Sequence, residues 1–208
     1  MKSNNPNNKN KIIDVAFILS LKHGFNHVSI KQLKEETGLS TGSIYYYFED
    51  KNEILEYMVN KYFMNMFKKF IKKVKNFDGS FIEKIKFILK YRGNVFYTEE
   101  DESKHVSIRT QVDYKDYLIL FISISHQHPE ISAYYEIHDE LYKLFYELIE
   151  EAIENNEINE DIDIEKVAIF LQTIFKGHIV LALYQPKIKI EKLVKSNTKL
   201  IWEVIKKS

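Results

Sequence analysis

The chain has 208 residues, 45% of them apolar, with six glycines, three prolines and no cysteine. That is enough apolar material for a sizeable core and too few chain breakers for a β-sandwich or a doubly wound sheet. The lack of cysteine excludes disulfide staples and thiolate metal sites and fits a reducing, cytoplasmic setting. Basic and acidic residues number 30 each, so the formal charge is zero and charge alone gives no pointer to nucleic acid.

Residues 1–10 are rich in Asn and Lys with no apolar run, so a flexible arm is expected there and not a secretory signal. Ile12, Ile13, Ala16, Phe17 and Leu19 to Leu21 give a first amphipathic helix, ended by Gly24, with Phe25 folding back on it. Ser29 with Gln32 makes a capping box that opens a short helix burying Ile30 and Leu33. Thr37-Gly38-Leu39 breaks it, and Ser40 caps a helix of about two turns ending at Glu49-Asp50. Asp50 with Glu53 caps a long helix whose apolar positions run from Leu55 to Val74 and which ends near Asn76. Further helices are expected at roughly 80–97, 105–125, 129–155, 163–184 and 188–207, with a polar loop at 98–104. Tyr117 to Ile124 could also pass for a strand. No stretch reaches the ~18 apolar residues of a membrane span, so no membrane partner is expected. The fold class is therefore all-α.

Charge is segregated along the chain. Residues 62–92 carry nine basic side chains against two acids, 136–165 one against twelve, and 166–208 nine against two. The acidic block is interleaved with apolar residues at helical spacing, which reads as a solvated helix face.

Residues 29–48 read as helix, tight turn, helix. A second helix that enters a major groove must begin with small polar residues, and Ser40, Thr41, Gly42 and Ser43 meet that need. Gly42 lets the backbone approach closely, and the hydroxyls can bond base edges or phosphates. Three successive tyrosines, Tyr45 to Tyr47, span little more than 200° of helix, so at least one phenol must point outward. A helical interaction module that uses this corner only for packing is the alternative at this point.

The wider stretch, about 11–63, resembles the TetR (tetracycline-repressor-like) family of transcriptional regulators. The residues that carry the resemblance are Ala16-Phe17, Gly24-Phe25, Ser29-Ile30, Gly38-Leu39-Ser40 and the run Gly42-Ser43-Ile44-Tyr45-Tyr46-Tyr47-Phe48, with Lys51 after it. Lys34 and Thr37 stand where the family commonly has Ala, and Tyr47 where it has His. The resemblance implies an N-terminal three-helix helix-turn-helix domain at 11–50 and a larger ligand-sensing and dimerisation domain at 51–208. It implies that Thr41, Gly42 and Ser43 read bases, that Tyr45, with Tyr46 beside it, touches phosphate or a thymine methyl, and that Ser29 and Lys51 contact phosphates. Ile44 and Phe48 are expected in the core.

The resemblance further implies a homodimer formed by the helices at about 129–155 and 163–184. The second of these is apolar nearly all round, and one side of such a helix needs a partner. The implied function is a regulator, in the first instance a repressor, that binds palindromic duplex DNA and is released by an apolar or aromatic small molecule, with the helix from Lys51 as the lever. Phe87, Tyr91, His105, Arg109, Tyr117, Phe121, Tyr142, Phe145, Phe175 and His178 are the candidate effector-binding residues. His126-Gln127-His128, with His138 further on, is too weak a pattern for a metal site, and no metal or cofactor is expected. No phosphate loop, nucleophile elbow or metalloprotease His pair is present, so no enzyme is expected.

Overall fold

The computed structural model describes residues 6–90, 113–185 and 187–206. Ten α-helices occur among them and no strand: α1 (Pro6–His23), α2 (Ile30–Thr37), α3 (Thr41–Tyr47), α4 (Lys51–Val59), α5 (Asn65–Lys75), α6 (Phe81–Lys90), α7 (Tyr114–Gln127), α8 (Ala133–Glu154), α9 (Ile164–Tyr184) and α10 (Ile190–Ile205). The stretch from Tyr117 to Ile124 is helical, which settles the strand alternative. Residues 6–10, expected in a flexible arm, form the first turns of α1. Proline is well suited to a first helical position because its missing N–H would have no partner there anyway. The expected loop at 98–104 and the candidate residues Tyr91, His105 and Arg109 lie outside the described residues.

Two compact units emerge. The first holds α1 to α4 and α7; the second holds α6, most of α8, α9 and α10, with the boundary inside α5 at Phe67/Lys68. By contacts the first unit therefore continues past residue 50, because α4 packs along α1. Ile12, Ala16 and Phe17 of α1, Leu33 of α2, Ile44 of α3 and Leu55 and Met58 of α4 are all buried in it.

Between α4 and α5 the helix passes through a π-helical turn, Asn60–Met64, without a break in helical backbone angles. Such a turn inserts one residue and re-aims side chains locally. Here Lys61 and Tyr62, consecutive residues that an α-helix would splay by about 100°, both reach one oxygen of Asp14. Asp14 is 1% exposed, on the core side of α1. The Tyr62 ring stacks on Phe17 at 3.8 Å, and its backbone carbonyl accepts a 3.0 Å hydrogen bond from the Tyr117 hydroxyl.

In the second unit, Leu141, Leu144, Phe145, Leu148 and Ile149 of α8 are buried. Lys84 of α6 is buried with its ammonium 2.6 Å from Glu151 of α8, and the Phe81 amide donates to Glu157 at 2.6 Å. Most of the apolar stripe of α8 is thus buried within its own unit, with Tyr135 left exposed. The large apolar residues left open in this unit are Tyr135 on α8, Ile169, Phe170, Val180 and Tyr184 on α9, and Leu200, Trp202 and Val204 on α10. The expected partner helices at 129–155 and 163–184 correspond to α8 and α9. The open faces of α9 and α10 follow the helical period. Ile169, Thr173, Val180 and Tyr184 fall on one side of α9, and Leu193, Asn197, Leu200 and Val204 on one side of α10, away from Ile190, Val194, Ile201 and Ile205 in the core.

Candidate nucleic-acid interface

The first unit displays α3. The local chemistry is that read from the sequence. The Ser29 hydroxyl accepts from the Gln32 amide while the Gln32 side chain accepts from the Ser29 amide, so the capping box is complete. Gly38 closes α2 with φ at 68°, the left-handed region where a side chain is disfavoured. Gly24 takes φ at 79° with ψ at 144°, a region equally hostile to a side chain. Thr37, in place of a family Ala, is buried; its hydroxyl donates to the Leu33 carbonyl and accepts from the Leu39 amide at 3.2 Å, bracing the turn. Lys34 is exposed and bears no load in the helix contact.

Ser40 caps α3 by accepting from the Ser43 amide at 3.1 Å, and the two hydroxyls lie 2.8 Å apart. Ile44 and Phe48 are buried and anchor the helix. Thr41, Gly42, Tyr45 and Tyr46 face solvent, Tyr45 at 53% and Tyr46 at 60% exposure. Ser43 is half-buried. Tyr46 and Tyr47 meet edge to face at 5.1 Å, which orients both phenols. An α3 that served packing alone within its unit would not leave Thr41, Tyr45 and Tyr46 outside.

Lys51, the first residue of α4, sits beside this surface. Its ammonium donates to the Asn26 carbonyl at 3.0 Å and lies 4.6 Å from the centre of the Phe25 ring. Partial burial holds its pKa below the ordinary lysine value. The sequence reading missed what lies behind it. Asn26 donates to Gln127 at 3.0 Å and its amide oxygen is 2.9 Å from His128, whose other ring nitrogen is 3.1 Å from Glu130. Phe25 also meets the His128 ring edge to face. The end of α7 is thereby bonded to the turn that holds Lys51. Only the Gly24-Phe25 signature marked that turn in the sequence. His128 is thus engaged by an amide and a carboxylate, and among the described residues no group of three His, Cys, Asp or Glu could hold a metal.

The candidate effector residues that are described fall into separate clusters. Tyr117 and Phe121 pack on Phe63 at 4.7 and 5.0 Å in the first unit. Phe145 and Phe175 meet at 6.3 Å in the second, with Phe70 6.3 Å from Phe175. Phe87 stacks on Phe77 at 4.9 Å, Tyr142 is beside Tyr146, and His178 is buried in α9.

An all-helical chain with a capped, outward-facing α3 after a glycine turn is a helix-turn-helix protein. Residues 12–58 match the family model described as bacterial regulatory proteins, tetR family. The whole chain has the corresponding fold. It is similar to a putative transcriptional regulator from Saccharomonospora viridis in complex with choline, at 16% identity and TM-score 0.72 over 96% of this chain and 98% of that one. It is similar to a TetR transcription regulator from Haloarcula marismortui, at 17% identity and TM-score 0.68 over 97% and 99%. A third is the regulator FadR from Bacillus subtilis in complex with stearoyl-CoA, at 16% identity and TM-score 0.58 over 92% and 96%. No curated protein sequence matches. Residues 12–58 thus match the DNA-binding domain of that family, and the chain as a whole shares the fold of these regulators.

Proposed function

We propose that this chain is a cytoplasmic transcriptional repressor that binds a palindromic operator as a homodimer and lets go when a small molecule occupies its helical body. The observation that carries the reading is the solvent-facing α3, with Ile44 and Phe48 buried and Thr41, Tyr45 and Tyr46 outside. In this reading Thr41, Gly42 and Ser43 meet base edges, Tyr45 and Tyr46 meet phosphate or a thymine methyl, and Ser29, Ser40 and Lys51 hold the backbone.

The second copy covers the apolar face of α9 and α10. Gly177 lies on that face of α9, and a methyl group there would meet nothing in its own chain, so own-chain packing does not call for glycine. A closely crossing partner helix does. A two-fold pair sets two α3 helices about 34–36 Å apart, one helical turn of duplex DNA.

The effector would have to favour one arrangement of the pair over another to change DNA affinity. Neighbours of this fold hold choline and stearoyl-CoA, chemically unlike molecules, so the aromatic clusters around Phe63 and Phe175 are offered as the effector-facing surroundings without a named compound.

Fluorescence anisotropy with duplex DNA tests the reading. Binding that weakens steeply with salt, and is lost in Tyr45→Ala/Lys51→Ala with helicity unchanged, is the expected result. Undiminished binding by that variant would remove α3 from the interface.

A further inference from the structure

We infer that the groove between α6 and α10 is a second ligand site, distinct from the aromatic clusters, that takes a planar organic polyanion of the nucleoside polyphosphate kind. The groove has a volume of about 650 Å³, within the range of small-molecule sites. Lys86 and Lys90 line it from α6, one turn apart, and Lys195 and Lys199 from α10, again one turn apart; Glu191 is the one acid in the lining. Ile82, Val194 and the indole of Trp202 supply an apolar wall.

Three features argue for an occupant of that chemistry. The lining carries three more positive than negative charges, which calls for a ligand with several negative ones. Like charges four apart on a helix repel, and here two such pairs face the same space. None of the four ammonium groups has a carboxylate within 4.0 Å among the described residues; Glu83 and Glu203 feel Lys86 and Lys199 only at longer range. No close ion pair among the described residues thus offsets that repulsion. Trp202, partly exposed beside the lysines, offers a flat face on which a ring can stack, an arrangement that simple phosphate would not use.

The site remains open in the proposed dimer. At 100° per residue, Glu191, Lys195, Lys199 and Trp202 lie on the side of α10 nearly opposite Leu193, Leu200 and Val204. A second copy seated on the latter leaves the groove free.

Trp202 is the one tryptophan in the chain, so its emission reports this groove and no other place. The full-length protein is titrated with ATP, with adenosine and with inorganic tripolyphosphate, following tryptophan emission and, in parallel, binding heat. ATP is expected to change the emission saturably. Tripolyphosphate should bind more weakly with a smaller emission change, and adenosine should not bind. Lys86→Gln/Lys195→Gln should weaken ATP binding about tenfold, the loss of two modest charge contacts. Lys31→Gln, on the exposed side of α2, should leave it unaltered. The inference is overturned if ATP leaves the emission unchanged, if the double lysine variant binds ATP as the parent does, or if tripolyphosphate matches ATP in affinity. None of these outcomes depends on operator binding, so failure here and failure of the repressor reading are separable.

Discussion

Removing the Asp14 carboxylate is the sharpest perturbation of the first unit. Asp14 is 1% exposed and accepts from both the Lys61 ammonium and the Tyr62 hydroxyl, the latter at 2.6 Å. Asp14→Ala leaves a cation and a phenol without that acceptor and opens a small void beneath the π-helical turn. Breaking a fully buried ion pair from one side costs about 3–5 kcal/mol. The Lys61 side chain is 29% exposed and can swing to water, so the cost here falls lower, about 2–3 kcal/mol. For a chain of this size that is a fall of about 4–12 °C in Tm. The assay is denaturant unfolding followed by circular dichroism, run as a cycle with Lys61→Met. Because Asp14→Ala/Lys61→Met removes both charges together, the double variant should lose less than the sum of the two single variants. A cost under about 1 kcal/mol for Asp14→Ala, or strict additivity in the cycle, would refute the argument that this contact locks α1 to the π turn.

Three further outcomes are expected. Burial, then the nearby Lys176, lower the His138 pKa, against a smaller opposing effect of Asp139. The folded state therefore takes its proton later than the unfolded one, so stability is full above the ordinary value of 6.5 and declines as pH falls below it. His138→Asn should flatten that part of the Tm–pH curve, and an unchanged slope would count against it. Gly177→Leu should raise helix propensity yet split the dimer in sedimentation; a dimer that persists unaltered would place the interface elsewhere. Ser40→Ala removes the cap of α3 and should cost about 1 kcal/mol in chemical denaturation, with operator affinity falling further than stability does; no change in either would contradict the cap's role.

What could be read from the sequence was what is local. The Ser29–Gln32 box, the Gly38 turn and the Ser40 and Asp50 caps each involve residues within four of one another, and each forms as the residue types dictate. The burial of Ile44 and Phe48 follows from helical period alone. The π turn was not legible, because its cause is distant: Asp14 lies 47 and 48 residues from its partners, and only its position as a lone acid between Ile13 and Val15 hinted at it. The start of α1 was missed because an Asn/Lys-rich stretch looks unstructured until α1 gains its apolar face. The open apolar faces were half legible. Apolar periodicity showed that α9 has a surplus side, but not that α10 would also leave Leu200 and Val204 open. The bonds from Asn26 to Gln127 and His128 join segments about a hundred residues apart, and no spacing rule could announce them.

The central claim is that α3, displayed twice by a two-fold pair, reads bases in the major groove. Selecting bound duplexes from a random pool and sequencing them tests it most directly. The account predicts an enriched inverted repeat whose half-sites lie about 10 base pairs apart or a multiple of that, and its loss with Tyr45→Ala. A pool that emerges unenriched, or an enriched site without two-fold symmetry, would contradict it.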